Sequence, residues 1–440
     1  MRDEEQTGAP VLSLRQVSAV AAGNALEFYD FLIYFLFAAQ IGQVFFPGRS
    51  DEDSLVLALA TFGAGFLSRP LGGVVIGIMG DMLGRKPALL LSLGLMGVST
   101  AGLALTPSYA SIGPAAPALV ILFRVLQGFA LGGEVGPSSA YLLEAAPVRR
   151  RGFYVSLQFA GQWAAGLVAG LVAMLLANAL GPAELAQWGW RIAFLIGAAV
   201  VPVGLLIRRR LPETLRDEVP SDTPAPAQVL VGLFGLTMLA GGTIATYSLS
   251  YLASFGSEVL GLTPRMAFGA TMVSGICGAL FNPIGGALSD RFGRKPLLLI
   301  GFVLLLAVEF PCYQAMLAFR TMLPLLLAAG VMASLLALAT PALLTTLLEN
   351  LPPPFRSGGI GIVYGMAISV FGGTARFVLT WLIEVTGSSL APAWYMAAGL
   401  ALALTGVAAI RETAPVKGAA SRFRASGAAA NIPVPTAQGK

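Results

Sequence analysis

Histidine is absent from the 440-residue chain. That removes the usual proton carrier near neutral pH and the commonest metal ligand, so proton handling falls to Asp or Glu. Only two cysteines occur, Cys277 and Cys312, in separate apolar runs without CxxC spacing. They read as buried small hydrophobes rather than a disulfide framework or a metal cluster. No metal and no cofactor is expected. Charge is scarce: 11% of residues are Asp, Glu, Lys or Arg, against about 25% in soluble domains. There is no GxxxxGK[ST] loop, which argues against direct ATP coupling. There is no nucleophile–base set, which argues against an enzyme. The opening MRDEEQTGAPVLSLRQ is acidic without an early apolar core and is not expected to be a signal peptide.

What is present is apolar: 56% hydrophobic residues and a mean hydropathy of +0.79. Twelve stretches reach the roughly 20 residues needed to cross a bilayer: 17–45, 55–79, 88–106, 116–145, 153–180, 190–207, 229–254, 266–288, 297–316, 321–348, 357–385 and 391–410. Of the 27 Lys and Arg residues, 20 fall in the connections on the N-terminal side of the membrane. Arg49, Arg265 and Arg320 fall in the opposite loops, Arg191 at an outer helix edge, and Arg69, Arg124 and Arg376 within spans. The positive-inside rule then places both termini in the cytoplasm. The net charge of +5 is thus distributed by topology, and the partner it implies is a lipid bilayer, not a nucleic acid.

An eight-residue stretch occurs twice. GDMLGRKP at 80–87 is answered by SDRFGRKP at 289–296, so Asp81, Gly84, Arg85, Lys86 and Pro87 recur as Asp290, Gly293, Arg294, Lys295 and Pro296. A second echo pairs LLEAAPVRRRG (142–152) with LLENLPPPFRSGG (347–359). Residues 208–228 are polar and Pro-rich, as a linker is. The expected fold is an all-α membrane protein of 12 transmembrane helices in two pseudo-symmetric six-helix bundles. Residues 1–207 form the first, 208–228 the cytoplasmic linker, 229–410 the second, and 411–440 a disordered cytoplasmic tail.

The repeated turn after the second and eighth spans resembles the signature loop of the major facilitator superfamily. More narrowly, GNALEFYDFLIYF (23–35), FFP (45–47), FLSRPLGG (66–73), RVLQGFALGGE (124–134), RRGFYVSLQ (150–158) and WGWRIAF (188–194) resemble the metabolite:proton symporter family. The run from FGAGFLSRP through WGWRIAFLIG looks most like its citrate/tricarballylate branch. The resemblance spans residues 20 to 410. It implies a monomeric secondary transporter of the bacterial inner membrane that carries a small organic anion with protons by alternating access.

Charges inside spans are costly, about 2.5–3.5 kcal/mol each on insertion scales, and so they face partners or water. Counting 1.5 Å per residue brings Asp30 of the first span and Arg124 of the fourth to one depth. The pair reads either as a proton–substrate switch or as a static lock. Related sugar symporters carry a proton-coupling Asp and Arg at these places, which favours the switch. Glu27 lies near Asp30 on the same helix, either sharing its proton or bonded to backbone, and Glu134, which shares a face with Gln127, is a further candidate for proton coupling. Arg69, Arg124 and Arg376 are candidate carboxylate ligands, since guanidinium offers a planar fork that stays charged; snorkelling or hinge packing is the alternative for Arg69. Gln127, Gln158 and Gln162 either orient the substrate or join helices. Asp81, Arg85, Glu144, Arg151, Asp290, Arg294, Glu349 and Arg356 belong at inner helix ends. By the resemblance they form an inner gate of ion pairs; plain positive-inside anchoring explains the Arg residues but not the repeated acids. Rival readings keep the fold with a zwitterionic osmolyte such as betaine or proline as cargo, make the chain a metabolite or drug exporter, or make it a receptor without transport.

Overall fold

The computed structural model describes residues 14–48, 50–215 and 225–415. Twelve long apolar helices cross it. They are α1 Leu14–Leu36, α2 Asp51–Met82, α3 Arg85–Leu105, α4 Ala115–Glu144, α5 Arg151–Ala179 and α6 Trp190–Arg209. In the second half follow α7 Ala225–Glu258, α8 Pro264–Phe292, α9 Arg294–Phe319, α10 Met322–Asn350, α11 Pro353–Thr386 and α12 Ala391–Ala409. Two of the expected spans are interrupted. The first bends at Phe37, and a short helix Ala38–Phe45 continues it. In α11 a π-helical stretch, Ile368–Gly372, separates two α-helical parts.

The outer surface is apolar, with Leu67, Leu71, Leu105, Phe268, Met272 and Trp394 exposed, as lipid-facing helices require. The polar residues of α1 obey the helical period instead. Asn24, Glu27, Asp30 and Tyr34 recur at three and four residues and are all enclosed, so one stripe of α1 faces inward.

The two halves form six-helix bundles that meet along α2 against α11 and α5 against α8. Glycine permits the first crossing: a Cβ on Gly361 would stand 2.6 Å from the Gly73 carbonyl oxygen, closer than packing allows. The repeated turns join α2 to α3 and α8 to α9 at one end of the molecule, the basic end, which also carries Arg85, Lys86, Arg294, Lys295 and Arg356 among the described residues. Gly84 and Gly293 take φ of +111° and +106°, in a region open to glycine alone. That is why the motif repeats its glycine.

The expected linker and tail begin later than composition suggests. Arg208, Leu211 and Thr214 are buried, as are Ile410 and Ala414, so residues 208–215 and 411–415 pack on the bundles. Residues 216–224 of the linker and 416–440 of the tail lie outside the described residues.

Candidate functional site

Asp30 and Arg124 are both fully enclosed, yet they make no direct ion pair. Thr100 of α3 donates to Asp30 Oδ2 at 2.7 Å. Gln127 Nε2 donates to Thr100 Oγ1 at 3.1 Å, and Arg124 donates to Gln127 Oε1 at 2.6 Å. A four-residue chain from α1, α3 and α4 therefore joins the carboxyl to the guanidinium. Backbone of α6 closes on it from the side: a Cβ on Gly197 would lie 3.0 Å from the Asp30 Cγ.

Two guanidiniums flank one aromatic ring. Arg69 stands 4.4 Å and Arg124 5.3 Å from the Phe31 ring centroid. Arg69 also lies over Phe66 at 4.2 Å, and Arg124 over Tyr34 at 4.2 Å. From the second half, Tyr247 and Tyr364 come close to Arg69. Nε and one terminal nitrogen of each Arg have no protein acceptor. Among the described residues neither makes a salt bridge. Gln162 of α5 donates to Asn24 at 2.9 Å and approaches Tyr364. Ser139 donates to Gln158 at 2.9 Å, but Ser139 lies fifteen residues along α4 from Arg124, about 22 Å nearer the basic end.

Glu134 does not join this cluster. It pairs with Arg208 at 2.5 Å, and Ser92 also bonds it. Glu27 faces that pair without a hydrogen-bond donor of its own. Arg208 corrects the charge count: it ends α6, but its side chain is 1% exposed and runs back into the bundle. Gly23 leaves room for it, since a Cβ there would stand 2.8 Å from the guanidinium carbon. Arg376 is the opposite correction. It follows the π-helical break, and its side chain is 56% exposed and meets Glu258 at 3.4 Å, whereas Arg69 and Arg124 are buried.

At the basic end the eight expected gate residues assemble into two matching clusters, each spanning both halves. In one, Arg85 pairs with Asp81 at 2.5 Å and with Glu144 at 2.9 Å, and Arg356 of the other half reaches Glu144 at 2.9 Å. Asp81 accepts backbone N–H bonds from Ser357 and Gly358 of α11, at 2.9 and 2.7 Å. In the other, Arg294 pairs with Asp290 at 2.6 Å and with Glu349 at 3.4 Å, and Arg151 of the first half stands 3.8 Å from Glu349. Asp290 accepts from the Gly152 and Phe153 amides of α5, at 2.8 and 2.9 Å. Each Asp thus ties its own half to the start of a helix in the other.

Sequence reasoning missed a second pair of acids. Glu213 accepts from the amides of Arg85 and Lys86 at 2.9 and 3.0 Å, and Glu412 from those of Arg294 and Lys295 at 3.0 Å each. These are the free N–H groups that open α3 and α9. The following threonines, Thr214 and Thr413, donate to Glu144 and Glu349 at 3.0 and 2.5 Å. Burial pushes the Glu412 carboxyl up, but its backbone donors outweigh burial and hold it below the usual range. A repeated Glu-Thr after the sixth and twelfth spans was the available signal.

Comparison with known proteins agrees with this architecture. Residues 16–216 match the family model described as sugar (and other) transporter. The chain is 36% identical over 386 residues to the citrate–proton symporter of Klebsiella pneumoniae, covering 86% of this chain and 87% of that protein. It is 32% identical over 435 residues to the proline/betaine transporter of Escherichia coli K12, covering 92% and 85%. The proton:xylose symporter XylE bound to 6-bromo-6-deoxy-D-glucose superposes with a TM-score of 0.78 at 18% identity, over 90% of this chain and 96% of that one; at that identity the likeness speaks for the fold alone. The chain belongs to the major facilitator superfamily, and within it to the metabolite:proton symporter family.

Proposed function

We propose that the protein is a proton-coupled symporter of a small organic anion, a di- or tricarboxylate such as citrate. The observation that carries this reading is the pair of enclosed guanidiniums, Arg69 and Arg124, with donors turned to no protein acceptor. A buried cation without a partner is costly, and a substrate carboxylate supplies both the charge and the acceptor atoms in one bidentate contact. Gln162, close to Tyr364 and so to Arg69, offers an uncharged amide to substrate hydroxyl or carboxyl groups; Gln158, bonded to Ser139 nearer the basic end, offers another along the substrate's path.

Asp30 takes the proton. Protonation removes its charge, weakens its hold on Thr100, and through Gln127 changes the acceptor available to Arg124. Proton binding at Asp30 and substrate binding at Arg124 are then linked through one hydrogen-bond chain instead of one ion pair, so that each favours the other. Glu27 and Glu134 form a second acidic group with Arg208 deeper toward the basic end, where a proton leaving Asp30 finds its next carboxyl. The two clusters at the basic end act as a gate, closed in this structure, whose pairs break as the bundles rock. In this reading the basic end is cytoplasmic, the bundles divide within residues 208–228, and the monomer is the working unit in a bacterial inner membrane.

The proline/betaine relative keeps a second reading open, and one observation bears on it. Phe31, Phe62, Phe66 and Tyr34 form an aromatic group of the type that holds quaternary ammonium ions. Here Arg69 and Arg124 already occupy those faces, which favours an anion.

Thermal stabilisation by a panel of organic acids and by betaine tests the substrate class. A ligand at 100 times its Kd adds about 2.7 kcal/mol. Citrate or another multi-carboxylate raising Tm, with betaine inert, supports the proposal. Betaine alone raising it sinks the proposal.

A further inference from the structure

Thr100, which holds Asp30, has a counterpart in the second half. The repeated turns set Arg85 against Arg294, and these residues open α3 and α9. Fifteen residues along each helix the same register reaches Thr100 and Glu309, both about 22 Å from the basic end at 1.5 Å per residue. Where the first half offers a hydroxyl to a carboxyl on α1, the second half places a carboxyl of its own.

Glu309 is 0% exposed, on the face of α9 opposite the lipid-exposed Ile300, Val303 and Leu304. Neither of its oxygens has a hydrogen-bond partner, and neither does the hydroxyl of Tyr313 one turn further on. Tyr313 is enclosed too, set edge-on against Phe255 of α7 with ring centroids 5.2 Å apart. On α9 the titratable neighbours are Cys312 and Tyr313, and α7 contributes Tyr251. Beyond Tyr251 stand Glu258, Arg376 and Glu384 at the far, exposed end. Helix α12, which meets α9 where Phe310 packs on Trp394, carries Tyr395 as its titratable residue. On α10 that residue is Glu349, which is engaged with Arg294 in the gate. On α8, Asp290 is likewise engaged with Arg294, and Arg291 shares its final turn at the basic end. Among the described residues no Lys or Arg pairs with Glu309.

We infer that Glu309 is a second proton-binding site, in the C-terminal bundle, occupied while the basic end is closed. A carboxylate enclosed without cation or donor is far less stable than the neutral acid. As the neutral acid it carries no charge for the enclosed site to support. Proton binding is then divided between the halves: Asp30 within a chain that ends on an arginine, Glu309 with none. This holds whichever substrate the protein carries.

Infrared spectroscopy of the full-length protein in proteoliposomes at pH 7 tests it. The wild type shows the carbonyl stretch of protonated carboxylic acid. Glu309→Gln removes one component of that band, a component that Asp30→Asn leaves in place. A Glu309→Gln spectrum superimposable on the wild type in this region overturns the inference. Should that variant not fold, Glu309→Asp decides: the acid is kept but moved by one methylene and the component shifts, whereas an unshifted band overturns the inference.

Discussion

Asp30 reaches Arg124 only through Thr100 and Gln127, by bonds of 2.7, 3.1 and 2.6 Å. A direct pair would fix both charges at once. A chain of neutral groups lets the protonation of one end alter the donors and acceptors at the other, so coupling depends on the intermediates.

Thr100→Val is nearly isosteric and removes the hydroxyl that both neighbours use. It leaves Asp30 Oδ2 and Gln127 Nε2 without partners, at about 1–3 kcal/mol for each unsatisfied group. Expected is a folded protein whose citrate exchange persists while accumulation driven by a proton gradient falls about tenfold or more, since 1.4 kcal/mol is a factor of ten. Uptake and counterflow in the same vesicles separate the two. Equal loss in both would place Thr100 in packing alone.

Arg69→Lys and Arg124→Lys keep the charge but not the planar fork. Each is expected to raise the KM for citrate about tenfold or more, through loss of one bidentate contact, with kcat less affected. Arg376→Lys, at an exposed pair, is expected to change neither by more than about twofold. Initial-rate kinetics over a citrate series reads all three.

The two gate clusters differ in closeness. Glu144 takes both Arg85 and Arg356 at 2.9 Å, whereas Glu349 stands 3.4 Å from Arg294 and 3.8 Å from Arg151. Removing one partner of a buried pair costs about 3–5 kcal/mol. Glu144→Ala is therefore expected to open the basic end more than Glu349→Ala does. Spin labels at Met82→Cys and Phe355→Cys, both exposed positions in different halves, with Cys277 and Cys312 replaced by Ser, report the separation. A larger shift in Glu349→Ala would contradict the ranking.

Glu412 gives a pH signature. Its folded carboxyl lies below the ordinary range, so the anion is favoured by folding. That stabilisation is complete above the unfolded value of about 4.3 and is lost as pH falls through the lower folded value. The Tm difference between wild type and Glu412→Gln is expected to stay constant from about pH 5 to 8 and to narrow in stronger acid. A difference that widened in acid would reverse the assignment.

Much of this was legible in the sequence. The twelve spans, the duplication and the gate acids all follow from runs and repeats, because hydrophobic length and turn chemistry are local properties. Thr100 was not legible. It carries no charge, and helical rise gives the depth of Asp30 and Arg124 but not which faces meet. Arg208 was misread because counting charges in connections says nothing of where a long side chain turns. The exposure of Arg376 was not legible, because nothing in the apolar run around it marks the π-helical break at Ile368–Gly372. Glu213 and Glu412 bore a repeat, but a two-residue one, hidden in segments that composition alone reads as linker and tail.

The central claim is proton-coupled transport of an organic anion, and uptake of radiolabelled citrate into proteoliposomes tests it most directly. With an inward proton gradient, the account predicts accumulation above the external concentration, abolished by a protonophore and by Asp30→Asn. Accumulation that ignores the gradient, or an Asp30→Asn protein that still concentrates citrate, would contradict it.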